Sequence, residues 1–274
     1  MENQGINVDR LRIGAVSYLN TKPLVYKLDL FAPRSEVVFD VPSRLADGLA
    51  AGEFDVALIP CIEFFNDPTY VIVSDACIGC RGPVLSVKLL SRVPINKIRS
   101  LALDEGSRTS VALVRILLDQ RFGVRPELIP LPMGASAAET KTDAVLLIGD
   151  RAIHPPKDVF VEEWDLGDEW CRWAELPFVF AMWVTRSGET AAAVEPALRQ
   201  ARDAGVERLT EIAVLEAKQV GLSEEACVSY LRDNLHFFLG EKERQGMNLY
   251  YRHAAHLGLV PEDRELRFSD CTTS

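Results

Sequence analysis

The residue types best suited to chemistry fall at four points where a strand reading gives way to a helix or a turn. Residues 11–17 form an apolar run that ends at Ser17, and Tyr18, Asn20 and Thr21 follow it at once. Ligands bind at the C-terminal edge of strands in open α/β sheets. The first N–H groups of a helix beginning there have no intrahelical partner. Ser17, Asn20 and Thr21 therefore either meet a ligand or cap that helix. The stretch Asp104-Glu105-Gly106-Ser107-Arg108-Thr109-Ser110 repeats the arrangement. Ser107, Thr109 and Ser110 offer hydroxyls beside bare N–H groups, and Gly106 permits close backbone approach. An anion site is the favoured reading there over plain capping. Gly149-Asp150 follows a third run, residues 144–148, where the carboxylate faces a cleft or caps the next turn. In Gly82-Pro83-Val84-Leu85-Ser86 the serine stands among apolar residues. A buried hydroxyl needs a partner, either a ligand or a backbone carbonyl.

Other chemistries find no support. There is no G-x-S-x-G elbow, no G-x-x-x-x-G-K-[ST] loop and no G-x-G-x-x-G turn. Cys77 and Cys80 make a lone C-x-x-C with no second pair or histidine nearby, so no metal site is expected. Gly79, Gly82 and Pro83 crowd that pair and predict a loop, with the thiols reduced. His253 and His256 share a face of a predicted helix, where packing or solvent exposure outweighs ligation.

The elements that must position these residues alternate. Strands are expected over 11–17, 36–41, 56–59, 70–74 and 84–91. Helices follow Pro23 and Ser43, the second ended by Gly52, and Pro60 opens a helical turn. The pattern restarts with strands over 100–103, 127–131 and 144–148, a helix over 107–122 closed by Gly123, and a short helix over 136–141. A long strand over 177–185 precedes three helices, 190–220, 223–237 and 242–257. Strands alternating with helices predict an α/β fold with parallel sheets. The restart predicts two lobes: residues 1–90 with 180–274, and residues 91–179. Two crossings between them make a hinged cleft.

The 274 residues carry a net charge of −10, which argues against nucleic acid and anionic membrane as partners. No apolar run of about 18 residues marks a membrane span. The N-terminus does not read as a secretory signal.

Together these segments resemble a known family. Ile13-Gly14-Ala15-Val16-Ser17-Tyr18-Leu19-Asn20-Thr21-Lys22-Pro23-Leu24 looks like the opening of the chorismate dehydratases of the futalosine route to menaquinone. Residues 54–60, Gly82-Pro83 with Ser86-Val87, 104–110, 147–150 and 176–181 continue the resemblance in register, from about residue 11 to residue 251. Each motif alone is weak; the ordered set is specific. The resemblance implies a two-lobed periplasmic-binding-protein type II-like fold with a ligand cleft between the lobes, used in the cytoplasm as an enzyme. It implies loss of water from chorismate to give 3-[(1-carboxyvinyl)oxy]benzoate, with no cofactor. By position, Asn20 and Ser86 match polar residues of the family's active site. Ser17, Tyr18, Ser107, Thr109, Ser110, Gly149 and Asp150 are the substrate-binding candidates. Two other functions share this fold: a non-catalytic solute-binding protein for an aromatic carboxylate, and 1,4-dihydroxy-6-naphthoate synthase. Tyr18-Leu19-Asn20 argues against the second, whose opening differs.

Overall fold

The computed structural model describes residues 10–132, 134–156 and 159–262. In chain order the strands are β1 (Arg12–Val16), β2 (Glu36–Asp40), β3 (Val56–Pro60), β4 (Val71–Cys80), β5 (Val87–Ser91), β6 (Ser100–Asp104), β7 (Glu127–Leu131), β8 (Ala144–Ile148), β9 (Glu162–Asp165), β10 (Phe178–Thr185) and β11 (His236–Phe238). They form two sheets, β11-β4-β10-β3-β1-β2 and β7-β6-β8-β5-β9. The strands nearest the sheet centres, β3, β8 and β10, are buried along their whole length. Covered on both faces, they read as continuous apolar runs.

The expected parallel sheets are in fact mixed. β2, β1 and β3 are parallel to one another, as are β7, β6 and β8. β10 runs antiparallel to β3 and β4, and β5 antiparallel to β8 and β9. β5 and β10 are the strands by which the chain enters a sheet from the other lobe. They arrive from the opposite direction to a strand fed by a crossover helix.

The chain leaves the first sheet after Cys80 and joins the second at Val87, then returns between Asp165 and Phe178. Dividing the lobes after residue 90 would put β5 in the first lobe. Its ladders with β8 and β9 put it in the second sheet instead. Residues 84–86, expected as strand, form a tight turn with Leu85 at φ 59.

Several boundaries hold closely. The helix Arg108–Phe122 is capped by Ser107, whose hydroxyl accepts the Ser110 N–H at 3.3 Å, and is closed by Gly123 at φ 63. The helix Pro42–Ala51 ends at Gly52 as expected but begins at Pro42, without a cap from Ser43. Other readings fail. Residues 136–141 make only turns. The C-terminal third contains a strand, β11, at the sheet edge beside β4. Its first predicted helix is two, Gly188–Glu207 and Leu209–Glu216. Cys77 and Cys80 lie in β4, buried and free, rather than in a loop. Cys271 lies outside the described residues.

The helix Gly188–Glu207 packs on β4 and β10, and the helix Glu241–His256 packs on β10 and on the helix Arg108–Phe122. One apolar core runs through both sheets and includes Ile13, Leu89, Leu113, Trp170 and Phe178. Among the described residues no helix is long and apolar enough to cross a membrane.

Candidate active site

A small, half-open cleft lies where the two sheets meet the crossing segment. Tyr18 and Asn20 line it after β1, Ser86 on the crossing segment, and Ser107, Ser110 and Gly149 from the second lobe. Ile78, Ile148 and Phe180 supply apolar wall. Among the described residues, no Asp, Glu, Lys, Arg or His side chain lines it.

Each polar group has a local cause. Leu19–Val25 forms a 3-10 turn with no side-chain cap at its start. Asn20 is inside that turn, and its Oδ1 accepts the Thr21 hydroxyl at 3.3 Å. The capping alternative for Asn20 therefore falls, and its amide remains for the cleft. Ser86 follows a turn braced from the second lobe. Asp165 accepts the Val84 N–H at 2.9 Å and the Leu85 N–H at 2.6 Å, and the Ser86 N–H reaches back to the Val84 carbonyl at 2.7 Å. Those donors hold the Asp165 carboxylate in place while burial pushes its carboxyl above the usual range. The Ser86 hydroxyl makes a long bond, 3.4 Å, to the Val84 carbonyl.

On the opposite wall, Ser107 and Ser110 are buried at the start of the helix Arg108–Phe122, their oxygens 3.0 Å apart. Ser107 both caps that helix and lines the cleft. A helix of this length sets the positive end of its dipole against the cavity, which suits a carboxylate. Tyr18 reaches across the gap. Its ring packs against Gly149, where an added Cβ would lie 2.8 Å from the ring, and its hydroxyl approaches Gly106. Gly149 is at φ 67, so both backbone and contact call for glycine. Burial, with Asp104 nearby, pushes the Tyr18 phenol up. Asp104 itself is ion-paired with Arg151.

Three sequence candidates lie outside the cleft lining. Ser17 is exposed, and its N–H extends the β1–β2 ladder to the Asp40 carbonyl. Thr109 is fully buried, its Oγ1 accepting the Ile62 N–H at 3.2 Å and its carbonyl accepting the Tyr250 hydroxyl at 3.0 Å. Those bonds engage Thr109 with Ile62 and Tyr250 of the first lobe. The Asp150 carboxylate accepts the Leu19 N–H at 3.1 Å, neither facing the cleft nor capping its own helix. Sequence reasoning missed Asp165 and Tyr230. The first had a signal, an acid ahead of Leu166-Gly167-Asp168 in the manner of an N-cap, and it does accept the Asp168 N–H. Tyr230, buried in a helical stretch, had none.

The comparisons agree with this architecture. A family model described as menaquinone biosynthesis matches residues 11–256. A chorismate dehydratase of Thermus thermophilus is 32% identical over 256 residues, covering 87% of this chain and 93% of the relative. Among solved structures, an Archaeoglobus fulgidus protein superposes with a TM-score of 0.73 at 16% identity, over 93% of this chain and 100% of that one. The alkanesulfonate-binding protein of Xanthomonas axonopodis pv. citri gives 0.64 at 15% identity, over 93% and 95%. A Candida albicans protein with the generic periplasmic binding protein fold gives 0.57 at 11%, over 93% and 92%. At such identities these structures speak for the fold, which is the two-lobed periplasmic-binding-protein type. The chain belongs to the menaquinone biosynthesis family, the one that the order of its motifs resembles.

Proposed function

We propose that this protein is a cytoplasmic hydro-lyase that removes water from chorismate to give 3-[(1-carboxyvinyl)oxy]benzoate. The observation that carries the reading is the dehydratase relative, matched over nearly the whole of both chains. The cleft supports it. In the reaction a ring C–H bond beside the enolpyruvyl ether breaks, the neighbouring C–O bond breaks, a ring C=C bond forms and water leaves. Aromatisation drives the step, and no electrons are exchanged with another reagent. The enzyme must hold a dianion in one geometry and exclude water. Ser107, Ser110 and the helix start beside them are suited to one carboxylate. Asn20 and Ser86 are suited to orienting the ring and stabilising the departing hydroxyl.

The lining carries no ordinary base: it has no carboxylate or imidazole, and Tyr18 keeps its proton at neutral pH. The proton acceptor we assign is the substrate's own enolpyruvyl carboxylate. Incubating the purified protein with chorismate and following the product by mass spectrometry tests the reading; a product lighter by one water is expected. Unchanged chorismate, or binding without turnover, would return the chain to the solute-binding proteins whose fold it shares. Turnover of cyclic dehypoxanthinyl futalosine instead would favour the naphthoate synthase.

A further inference from the structure

Asn20 and Ser86 are loosely held for residues that must fix a substrate. Their recorded side-chain hydrogen bonds, 3.3 and 3.4 Å, lie beyond the usual range. The hydroxyl of Tyr230 lies beside both. Tyr230 is 2% exposed, and among the described residues its hydroxyl has Asn20 and Ser86 within reach but forms no well-made hydrogen bond. Buried hydroxyls almost always have one. Its backbone setting is unusual too. Residues Tyr230–Asn234 form a π-helical turn, which adds a residue to the helix and re-aims its side chains. That turn is tied to the segment carrying Ser86, because the Asn234 Nδ2 donates to the Pro83 carbonyl at 2.9 Å. An unsatisfied phenol, two weakly held neighbours and a shared anchor thus meet at one place.

We propose that Tyr230 is a positioning residue for the dehydration, completing its hydrogen bonds to Asn20 and Ser86 when substrate seats against those two residues in the cleft. This rests on the dehydratase reading. One Asn20 N–H then donates to the phenol oxygen, and the phenol O–H donates to Ser86 Oγ. The Ser86 O–H and the second Asn20 N–H are left for the substrate. Every donor and acceptor in this chain is one these groups possess. Tyr230 is not the base: burial pushes its phenol up, so it stays protonated.

The test is Tyr230→Phe, which removes one oxygen and keeps the ring. Turnover of chorismate, the Michaelis constant and the melting temperature are measured beside wild type. Turnover should fall about tenfold or more, as expected when a reacting group is misplaced, with the Michaelis constant little changed. The melting temperature should hold or rise, since the lost hydroxyl makes no well-formed hydrogen bond in the free protein. Unchanged turnover would overturn the role. So would a fall in turnover that merely tracks a fall in melting temperature, or an effect confined to the Michaelis constant. Wild type that leaves chorismate intact would reject the dehydratase reading and this role with it. An active wild type with an unimpaired Tyr230→Phe rejects the role alone.

Discussion

Asn20 reaches the cleft from inside a 3-10 turn, with its amide oxygen accepting the neighbouring Thr21 hydroxyl. An amide takes no proton near neutrality, so its contribution is orientation and charge stabilisation. Losing one such donor costs about 10²–10³ in turnover. Asn20→Asp keeps the shape but presents a negative charge to a dianion in a cleft whose lining offers no cation. We expect Asn20→Asp to be at least as damaging as Asn20→Ala, with melting temperatures near wild type. An Asn20→Asp enzyme as active as wild type would remove Asn20 from the mechanism. At this scale the sequence was informative where a residue's place in the cleft lining depends on its own turn, as at Asn20, Ser107 and Gly149. It misled where a partner from elsewhere in the chain claims the side chain. Nothing local to Thr109 announces Ile62, and nothing near Asp150 announces the Leu19 N–H.

Ser86 is placed by the crossing segment and by the element that braces it, the start of the helix Leu166–Ala174. Asp165 caps that helix and accepts the Val84 and Leu85 N–H groups, fixing a turn in which Leu85 is held at φ 59. A non-glycine residue there is unfavourable without such support. Asp165→Asn replaces one acceptor oxygen by a donor facing N–H groups. It should lower stability by about 1–3 kcal/mol, the range for leaving a buried donor unpaired. It should lower turnover more than its effect on melting accounts for, because Ser86 moves with the turn. Equal turnover per folded molecule would show that the brace is not needed. The helix starting at Arg108 was legible because both its ends carry local signals, Ser107 and Gly123. β9 and β11 were not. They are short strands whose existence depends on the edge they pair with, β5 for one and β4 for the other.

Across the whole molecule, the two lobes are stitched by bonds flanking the cleft. The Ser43 N–H donates to the Gly106 carbonyl at 3.1 Å, the Ile62 N–H to Thr109, and the Leu19 N–H to Asp150. Two lobes, two crossings and a cleft between were legible in the alternation of strands and helices; these stitches were not, since each pairs residues distant in sequence. Asp150 makes one of them sensitive to pH. Burial raises its carboxyl above the usual range, the Leu19 N–H and Lys22 oppose that, and Glu216 adds to it. The folded chain thus takes up this proton more readily than the unfolded chain. The group's contribution to stability is full below the unfolded carboxyl's value and is lost as pH rises through the folded one. Asp150→Asn keeps an oxygen for the Leu19 N–H and carries no charge at any pH. At neutral pH it should therefore melt no lower than wild type. As the pH falls into the carboxylate range, wild type should gain on the variant. Melting curves of both proteins from pH 7 to about 4 measure the difference. A wild type that loses ground to Asp150→Asn on acidification would mean that the ionised carboxylate, rather than the neutral acid, is what holds the lobes together.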